Sequence, residues 1–272
     1  MLITRSKEDT APPLLHWWPS RHCLFRDNFG DALSAFIVRS MIEASGGNGD
    51  ALRVVRAVSP HSAATLKSDK MLAIGSILHH ASTGDVIWGT GVNGNQLDFP
   101  YRFKSLDVRS VRGPLTWEFL KKRGIDAPEI FGDPGLLVRE CCPDLNRAEN
   151  PSRDYIVIPN LNDRDKVRDN PNAISPLKPW REVVSSILDS KFVISSSLHG
   201  LVIADAYGIP SRWTQIGGVE SEFKFQDYYL GTGRAVPEEA GSIDEALEMG
   251  PEPLLHFDTE PVRRAFPAEH FV

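Results

Sequence analysis

Residues 193–213 read VISSSLHGLVIADAYGIPSRW, and this stretch decides the class of fold. A short apolar run ends in three serines, a longer one follows His199, and a third begins after a Gly-Ile-Pro sequence. Short apolar runs between turn residues are typical of buried strands, whereas the longer run suits a helix. The stretch therefore predicts a strand, a helix and a second strand, the repeating unit of a parallel sheet covered by helices.

The same alternation extends over most of the chain. Strands are predicted at residues 52–58, 70–78, 85–91, 105–113, 154–163, 191–197 and 209–216, with a short strand and a turn at 129–138. Helices are predicted at residues 31–47, 114–124, 180–190, 198–208 and 242–250. Asp31 is expected to cap the first of these helices, and Pro114 suits the first turn of the second.

A polar segment with two prolines, residues 138–154, interrupts this rhythm and is predicted to be a linker. The chain of 272 residues is then expected to form two Rossmann-like α/β domains, 1–148 and 149–272, and its tail can return to the first. Ligands of such sheets bind in a crevice outside the carboxyl ends of the strands. The cleft between the two halves is therefore the expected site.

Composition argues against several classes of function. The net charge of −6 opposes a broad basic surface, and hence nucleic acid as a partner. Cys23, Cys141 and Cys142 form no CxxC pair, so neither a disulfide framework nor a thiolate zinc site is expected, and a reducing cytoplasm is the simpler setting. The first residues lack the apolar stretch of a signal peptide, and no apolar run is long enough to span a membrane.

The glycines of WGTGVNG, residues 88–94, match G-x-G-x-x-G after a strand. A dinucleotide site of this type needs a helix that opens at the third glycine, and the residues that follow show no helical period. We therefore expect Gly89 and Gly91 to form either a turn that lets a ligand approach the backbone or a plain tight turn.

Two further junctions carry polar residues. Backbone N–H groups at Gly75 and Ser76 could hold an anion or form an ordinary turn. The pair His79-His80 is not accompanied by acidic or thiol residues at metal-ligand spacing, and no metal site is predicted.

Arg112 directly precedes a predicted helix. An arginine beside free helix N–H groups is a good receptor for carboxylate or phosphate, with a solvated surface arginine as the alternative.

His199 follows Ser195, Ser196 and Ser197 at the predicted start of a helix. The positive end of a helix should lower the pKa of an imidazole and favour its neutral form. The alternative is a buried histidine satisfied by the backbone, with Ser197 as no more than an N-cap.

Several separate segments are together more specific than any one of them. They are NFGD (28–31), IGS (74–76), WGTG (88–91), VRG (111–113), GDPGLL (132–137), SSSLHGLVIADAYGIP (195–210) and FKFQDYY (223–229). In these segments the chain resembles the polysaccharide pyruvyl transferase family, notably its bacterial exopolysaccharide branch. Members transfer a pyruvyl group from phosphoenolpyruvate to two hydroxyls of a sugar, leaving a cyclic ketal. They have two Rossmann-like domains, similar to glycosyltransferases of the B type.

The resemblance implies roles for individual residues. His199 matches the family's catalytic histidine and Arg112 its phosphoenolpyruvate-binding arginine. The lining of the cleft is expected to include Asn28, Gly30, Asp31, Gly75, Ser76, Gly89, Gly91, Asp133, Ser196, Ser197 and Lys224. Either Asp31 or Asp133 could activate the sugar hydroxyl. No metal and no cofactor is implied, since phosphoenolpyruvate is the donor substrate.

The resemblance also implies a saccharide acceptor, which could be lipid-linked, and a cytoplasmic protein that contacts the inner face of the membrane peripherally. A histidine with a pKa near neutrality could both donate and accept protons in such a reaction. Two other functions stay open: a B-type glycosyltransferase that uses a nucleotide sugar, and a carbohydrate-binding relative without catalysis. The sequence carries no indication of oligomeric state.

Overall fold

A computed structural model of the chain describes residues 14–17, 28–56, 70–218 and 220–272. These residues form a five-stranded and a three-stranded sheet, and each strand pairing in them is parallel. The predicted mixed α/β class with parallel sheets is confirmed. The similarity to B-type glycosyltransferases and the division into domains at residue 148 stay predictions.

The larger sheet has the strand order β2–β1–β3–β4–β5. Its strands are β1 (Leu14–Trp17), β2 (Val54–Arg56), β3 (Lys70–Leu72), β4 (Val86–Trp88) and β5 (Asp107–Ser110). Four lie inside predicted strands but are shorter, and residues 57–58 of one prediction lie outside the described residues. The strand β1 was not predicted because its apolar run is so short, yet it lies between β2 and β3 with its leucines buried.

The connections that flank β4 differ from the predicted rhythm. They contain only short 3₁₀-helices, Leu78–His80 and Gly94–Gln96, where parallel strands are usually joined by an α-helix. Ile77 and Tyr101 of these connections pack in one apolar cluster with residues of helix α2 (Pro114–Lys121). Aromatic and aliphatic side chains from extended segments therefore cover this face of the sheet.

Helix α1 (Phe29–Ala44) begins before the predicted position. Its N-cap is Asn28, whose side chain accepts a hydrogen bond from the backbone N–H of Gly30 at 3.3 Å. The prediction that Asp31 caps the helix is wrong, because Phe29 is fully buried and already helical. Asp31 lies instead in the first turn, where a negative charge complements the helix dipole.

The smaller sheet has the order β6–β7–β8. Its strands are β6 (Ile156–Ile158), β7 (Val193–Ser195) and β8 (Ser211–Trp213). The helices of this half are α4 (Trp180–Leu188), α5 (Leu198–Ala206), α6 (Phe223–Gly231), α7 (Ile243–Met249) and α8 (Glu260–Arg264). The strand–helix–strand unit predicted at 193–213 is therefore present as β7, α5 and β8.

The predicted linker begins inside the folded core. A 3₁₀-helix, Pro134–Leu137, runs directly into helix α3 (Val138–Cys141), and both Val138 and Cys142 are buried. The short strand predicted at 129–138 is reduced to one bridge between Val111 and Phe131. Because residues 138–154 are polar overall, their composition did not reveal the buried residues Val138 and Cys142, which anchor the start of the segment.

One apolar cluster joins the two sheets. Ile37 of α1, Ile158 of β6 and Ile187 of α4 belong to the same cluster of buried side chains. The tail is tied to the larger sheet as well, since the indole N–H of Trp88 donates to the carbonyl of Val262 at 2.9 Å. The two sheets therefore share one hydrophobic core.

Cys141 and Cys142 are free thiols, and Cys23 lies outside the described residues. Among the helices of the described residues, none has both the length and the apolar character that crossing a membrane requires.

A buried ion pair fastens the start of β3. Lys70 Nζ lies 2.6 Å from Asp85 Oδ2, and the two side chains are 1% and 2% exposed. The backbone N–H groups of Lys70 and Ser82 also donate to this carboxylate. Burial raises the pKa of Asp85, against the lowering effect of Lys70. The cost of burying each charge is thus offset only while both Lys70 and Asp85 are present.

We expect Asp85→Ala to lower the free energy of unfolding by about 3 kcal/mol, because Lys70 would stay buried without a counter-ion. Urea unfolding measures the change. The double variant Lys70→Met, Asp85→Leu should recover part of the loss, since an apolar pair can fill the space. The control Asp126→Ala removes an exposed carboxylate and should change stability by less than about 0.5 kcal/mol. A wild-type stability for Asp85→Ala would contradict this account.

Candidate functional site

A cleft of about 350 Å³ opens between the two halves, at the ends of strands from both sheets. Its volume lies within the range of small-molecule sites, about 300–1,000 Å³. The lining includes Asn28, Asp31, Ser76 and His79 from the larger-sheet half and Asn160, Ser197, His199 and Lys224 from the other half. The chain thus collects here several of the residues that the sequence singles out.

His199 occupies the first turn of α5, is half-buried and packs against Phe29 and Gly30 of α1. Its ring meets the edge of the Phe29 ring at a centroid distance of 6.3 Å. Burial, reinforced by the positive charges of Lys224 and Arg112, lowers the pKa of His199 to about 3. Its Nε2 has no hydrogen-bond partner among the described residues. His199 is therefore neutral at pH 7, with one ring nitrogen available to a ligand.

The three serines before His199 have separate roles. Ser195 is buried and donates to the carbonyls of Ile158 and Ser197 at 2.9 and 2.8 Å. Ser196 donates to Asp163 Oδ2 at 2.8 Å. Ser197 lies at the N-cap position of α5 but makes no capping hydrogen bond with its side chain, and it lines the cleft instead. The expected cap is thus replaced by a hydroxyl that faces the site.

Lys224 lies in the first turn of α6 and forms an ion pair within the cleft. Its Nζ is 2.6 Å from Glu220 Oε2. Glu220 Oε1 in turn accepts a hydrogen bond from the amide of Asn162 at 2.9 Å. Burial lowers the pKa of Lys224, and Glu220 opposes that shift. The lysine enters the cleft already matched by a carboxylate.

Arg112 is completely buried behind the cleft. Its Nε donates to Asp227 Oδ2 at 3.1 Å, and one terminal nitrogen donates to Ser76 Oγ at 2.6 Å. Asp227 also accepts from the backbone N–H and the hydroxyl of Thr116, at 3.0 and 2.7 Å. The N-terminus of α2, which was expected to be free for a ligand anion, is therefore occupied by Asp227. Arg112 reaches the cleft through Ser76.

Several predicted glycines make room for the protein itself. A Cβ on Gly30 would lie 2.1 Å from His199 Cγ, so the histidine can pack on α1 only if residue 30 is glycine. A Cβ on Gly91 would lie 2.3 Å from the guanidinium carbon of Arg112. The open side of Gly89 is filled by Pro134. Gly89 and Gly91 therefore adjoin protein side chains, and they are not among the described residues that line the cleft.

The two aspartates suggested as bases lie in different surroundings. Asp31 lines the cleft, and its Oδ1 would be 3.3 Å from a Cβ on Gly75. Asp133 is fully buried, accepts from the N–H of Gly135 at 2.8 Å, and is not among the described cleft-lining residues. Burial raises the pKa of Asp133 to about 6. Asp133 is therefore wrongly placed to touch a substrate in this cleft.

Sequence reasoning missed some residues of the cleft. His79 was weighed only as a metal ligand, but it lines the cleft, and burial lowers its pKa to about 4. Asn160 and Asn162 follow β6 directly, so the rule that sites lie at strand ends could have found them. Among the described residues, no group of three metal-ligating side chains is present.

A much smaller pocket of about 10 Å³ shares Glu220 with the cleft, and Ser196 lines this pocket and is not among the described residues that line the cleft. Two buried atoms of its lining residues, Asp163 Oδ1 and Trp213 Nε1, have no hydrogen-bond partner among the described residues. The Asp163 oxygen can accept a hydrogen bond and the Trp213 N–H can donate one, so the pocket offers both kinds of partner to a water or hydroxyl group.

Comparisons with known proteins agree with the sequence resemblance. A family model described as polysaccharide pyruvyl transferase matches residues 28–214. Uncharacterized protein L143 of Acanthamoeba polyphaga mimivirus is 30% identical over 173 residues, which cover 57% of either chain. Succinoglycan biosynthesis protein ExoV of Rhizobium meliloti (strain 1021) is 26% identical over 229 residues, which cover 78% of this chain and 63% of ExoV. The match thus spans less than two thirds of either relative's length.

One solved structure aligns with the fold. It is described as a functional uncharacterized protein, KP1_0663, from Klebsiella pneumoniae subsp. pneumoniae NTUH-K2044. The alignment has a TM-score of 0.43 and 11% sequence identity, and it covers 79% of this chain and 87% of that chain.

We expect Gly30→Ala to destabilise the protein by about 1–3 kcal/mol, because the new methyl group would overlap the His199 ring. The sign is diagnostic, since alanine is favoured over glycine by about 1 kcal/mol in a helix that has room for it. Chemical denaturation gives the change. Gly241→Ala is the matched control, because its Cβ would meet only the flexible end of Glu245. A Gly30→Ala protein more stable than the wild type would show that His199 does not need this contact.

Proposed function

The chain belongs to the polysaccharide pyruvyl transferase family, and we propose that it transfers a pyruvyl group from phosphoenolpyruvate to two hydroxyls of a saccharide, forming a cyclic ketal. The observation that carries the proposal is the cleft itself. His199, Lys224 and Ser76, which is held by Arg112, line it together at the N-terminus of α5. A role in the biosynthesis of a surface or extracellular polysaccharide is part of the same proposal.

The donor would lie at the α5 end of the cleft. Phosphoenolpyruvate carries a carboxylate and a phosphate, which need cations and N–H donors. Both Lys224 and Arg112 lie near enough to lower the pKa of His199. The positive end of α5 adds to this field. These groups support an anion site that needs no metal ion.

The reaction balances without a cofactor. C3 of the donor gains a proton, C2 forms bonds to two sugar oxygens, and the bond from C2 to the bridging phosphate oxygen breaks. Two hydroxyl protons are released: one offsets the proton given to C3, and the other leaves with the phosphate. The protein must therefore move protons at C3, at the two hydroxyls and at the leaving group.

His199 is proposed to act as the general acid toward the enol carbon or the departing phosphate. In the free protein its pKa of about 3 leaves it neutral. An anionic donor beside it would favour the imidazolium form. The donor complex would thus be the state in which His199 takes up a proton more readily, while the free cleft carries no unmatched buried charge.

The acceptor would lie toward the amide-rich rim. Asn93, Gln96, Asn160 and Asn162 line that part of the cleft. Amide side chains both donate and accept, as sugar hydroxyls require. A lipid-linked acceptor, and a location on the cytoplasmic side of the membrane, remain part of the proposal. Neither is needed for the chemistry.

We expect the purified protein to release phosphate from phosphoenolpyruvate only when an acceptor saccharide is present. In that assay His199→Ala should lower kcat at least about 100-fold, as for the loss of a general acid. A panel of methyl glycosides and oligosaccharides supplies the acceptors. His256→Ala, which removes an exposed histidine, should retain wild-type turnover. Full turnover by His199→Ala would refute the role of His199.

The role of Arg112 cannot be tested by removing its side chain. Its removal would leave Asp227 buried without a counter-ion, which costs about 3–5 kcal/mol. Lost activity in Arg112→Ala would therefore report lost folding. A donor-binding role for Arg112 is tested through Ser76→Ala, which removes only the link between Arg112 and the cleft.

Binding of the donor should raise the pKa of His199 by about 1–3 pH units above its free value of about 3, because the donor is an anion. NMR titration of the imidazole ring with 2-phospholactate, which lacks the reactive double bond, measures the shift. In the free protein the pKa of His199 lies below its ordinary value of 6.5. The stability that comes from keeping His199 neutral is therefore fully present above pH 6.5 and is lost as the pH drops toward 3. An unchanged pKa with bound 2-phospholactate would separate His199 from the donor site.

Ligand-dependent melting distinguishes the proposal from a nucleotide-sugar transferase. Bound ligand raises stability by mass action, so phosphoenolpyruvate should raise Tm while uridine and guanosine diphosphates should not. The opposite pattern would favour glycosyl transfer. Binding of phosphoenolpyruvate without turnover on any acceptor of the panel would favour a relative that has lost catalysis.

A further inference from the structure

Lys224, the cation that the proposed donor would bind, is already paired with the carboxylate of Glu220. Glu220 Oε2 lies 2.6 Å from Lys224 Nζ, and the two side chains are 20% and 10% exposed. Both residues line the large cleft. A phosphate or carboxylate that binds there competes with Glu220 for Lys224. The inference below rests on the proposed function and identifies what the displaced group does.

The other cation of the site cannot exchange its partner in this way. Arg112 and Asp227 are both completely buried, and Asp227 also accepts two hydrogen bonds from Thr116. Glu220, in contrast, lies before α6 and is held by Lys224 and by the exposed amide of Asn162. The Glu220–Lys224 pair therefore has the fewer fixed contacts of the two, and it is the one that a multiply charged ligand can displace.

We propose that Glu220 is the base that activates the acceptor: the anionic donor displaces it from Lys224, and the freed carboxylate takes the proton of the first acceptor hydroxyl. In that step the O–H bond of the sugar breaks and its oxygen bonds to C2 of the donor. The proton stays on Glu220, while C3 receives its proton from His199. Phosphate leaves as the second hydroxyl closes the ketal, and it takes up the proton of that hydroxyl. The proton held by Glu220 is then released to solvent, and His199 regains a proton from solvent.

Glu220 suits this task better than the two aspartates. Asp133 is fully buried and is not among the described residues that line the cleft. Asp31 lines the cleft as well, but it lies in the first turn of α1, whereas Glu220 is paired directly with the cleft lysine. Glu220 also lines the small pocket that can hold a hydroxyl group, next to Asp163 and Trp213.

This exchange imposes an order on binding. Before the donor arrives, the Glu220 carboxylate is paired with Lys224 and is not positioned to accept a hydroxyl proton. After the donor pairs with Lys224, the carboxylate is released beside the amide rim. The donor should therefore bind first and strengthen productive binding of the saccharide.

The test compares donor affinity with turnover in Glu220→Gln. Without the competing charge, 2-phospholactate should bind about 3–10-fold more tightly to the variant than to the wild type in calorimetry. Phosphate release from phosphoenolpyruvate with a saccharide should fall at least about 100-fold, because the base is absent. Tighter donor binding together with lost turnover is a pattern that a merely structural ion pair would not produce.

Glu222→Gln is the matched control, since Glu222 is exposed on the same segment and bonds only to the Gln226 side chain among its described contacts. It should leave both measurements unchanged. Glu220→Ala should repeat the paired result without the residual amide. Unchanged or weaker 2-phospholactate binding in folded Glu220→Gln, or turnover within about threefold of wild type, would overturn the inference. A wild type that binds neither 2-phospholactate nor phosphoenolpyruvate would instead overturn the proposed function.

Discussion

The buried pair between Arg112 and Asp227 is the contact on which the arrangement of the cleft depends. Asp227 comes from α6, after the smaller sheet, and its carboxylate both neutralises Arg112 and caps the start of α2. The backbones must approach closely for this, because a Cβ on Gly113 would lie 1.8 Å from the Asp227 carbonyl oxygen. Lys224 lies one turn before Asp227, on the same side of the helix. The pair that fastens the two halves therefore also sets the position of the cleft lysine.

The unliganded cleft is electrostatically matched rather than strongly positive. Arg112 has Asp227, Lys224 has Glu220, and burial keeps His199 neutral. Stored, unpaired charges in such a place would be costly. In the proposed reaction, binding of the anionic donor would exchange one partner of Lys224 for another, and selectivity would then depend on how well a ligand replaces the Glu220 carboxylate.

The general architecture followed from sequence because it depends on short apolar runs and turn residues, as in residues 193–213. The strand β1 and helix α6 escaped prediction for physical reasons. The former is a four-residue strand, and the latter buries aromatic residues Phe225, Tyr228 and Tyr229 among polar neighbours. The sequence pointed to three residues of the site, His199, Ser76 and Lys224. It did not point to Glu220, because the role of this residue depends on its ion pair with Lys224 inside the cleft. Asp227 is a long-range partner of Arg112, 115 positions away, and no local pattern reveals it.

The core shared by the two sheets has a consequence for motion. Enzymes with two lobes commonly close over their substrates by rotation about a hinge. Here such a rotation would separate Ile37 from Ile158 and Ile187 and pull apart a fully buried ion pair. The shared core and the ion pair therefore oppose such a rotation, and we expect the cleft to keep nearly the same width when a ligand binds. An opening of that kind can admit the end of a long polymer while the remainder of the chain stays in solvent.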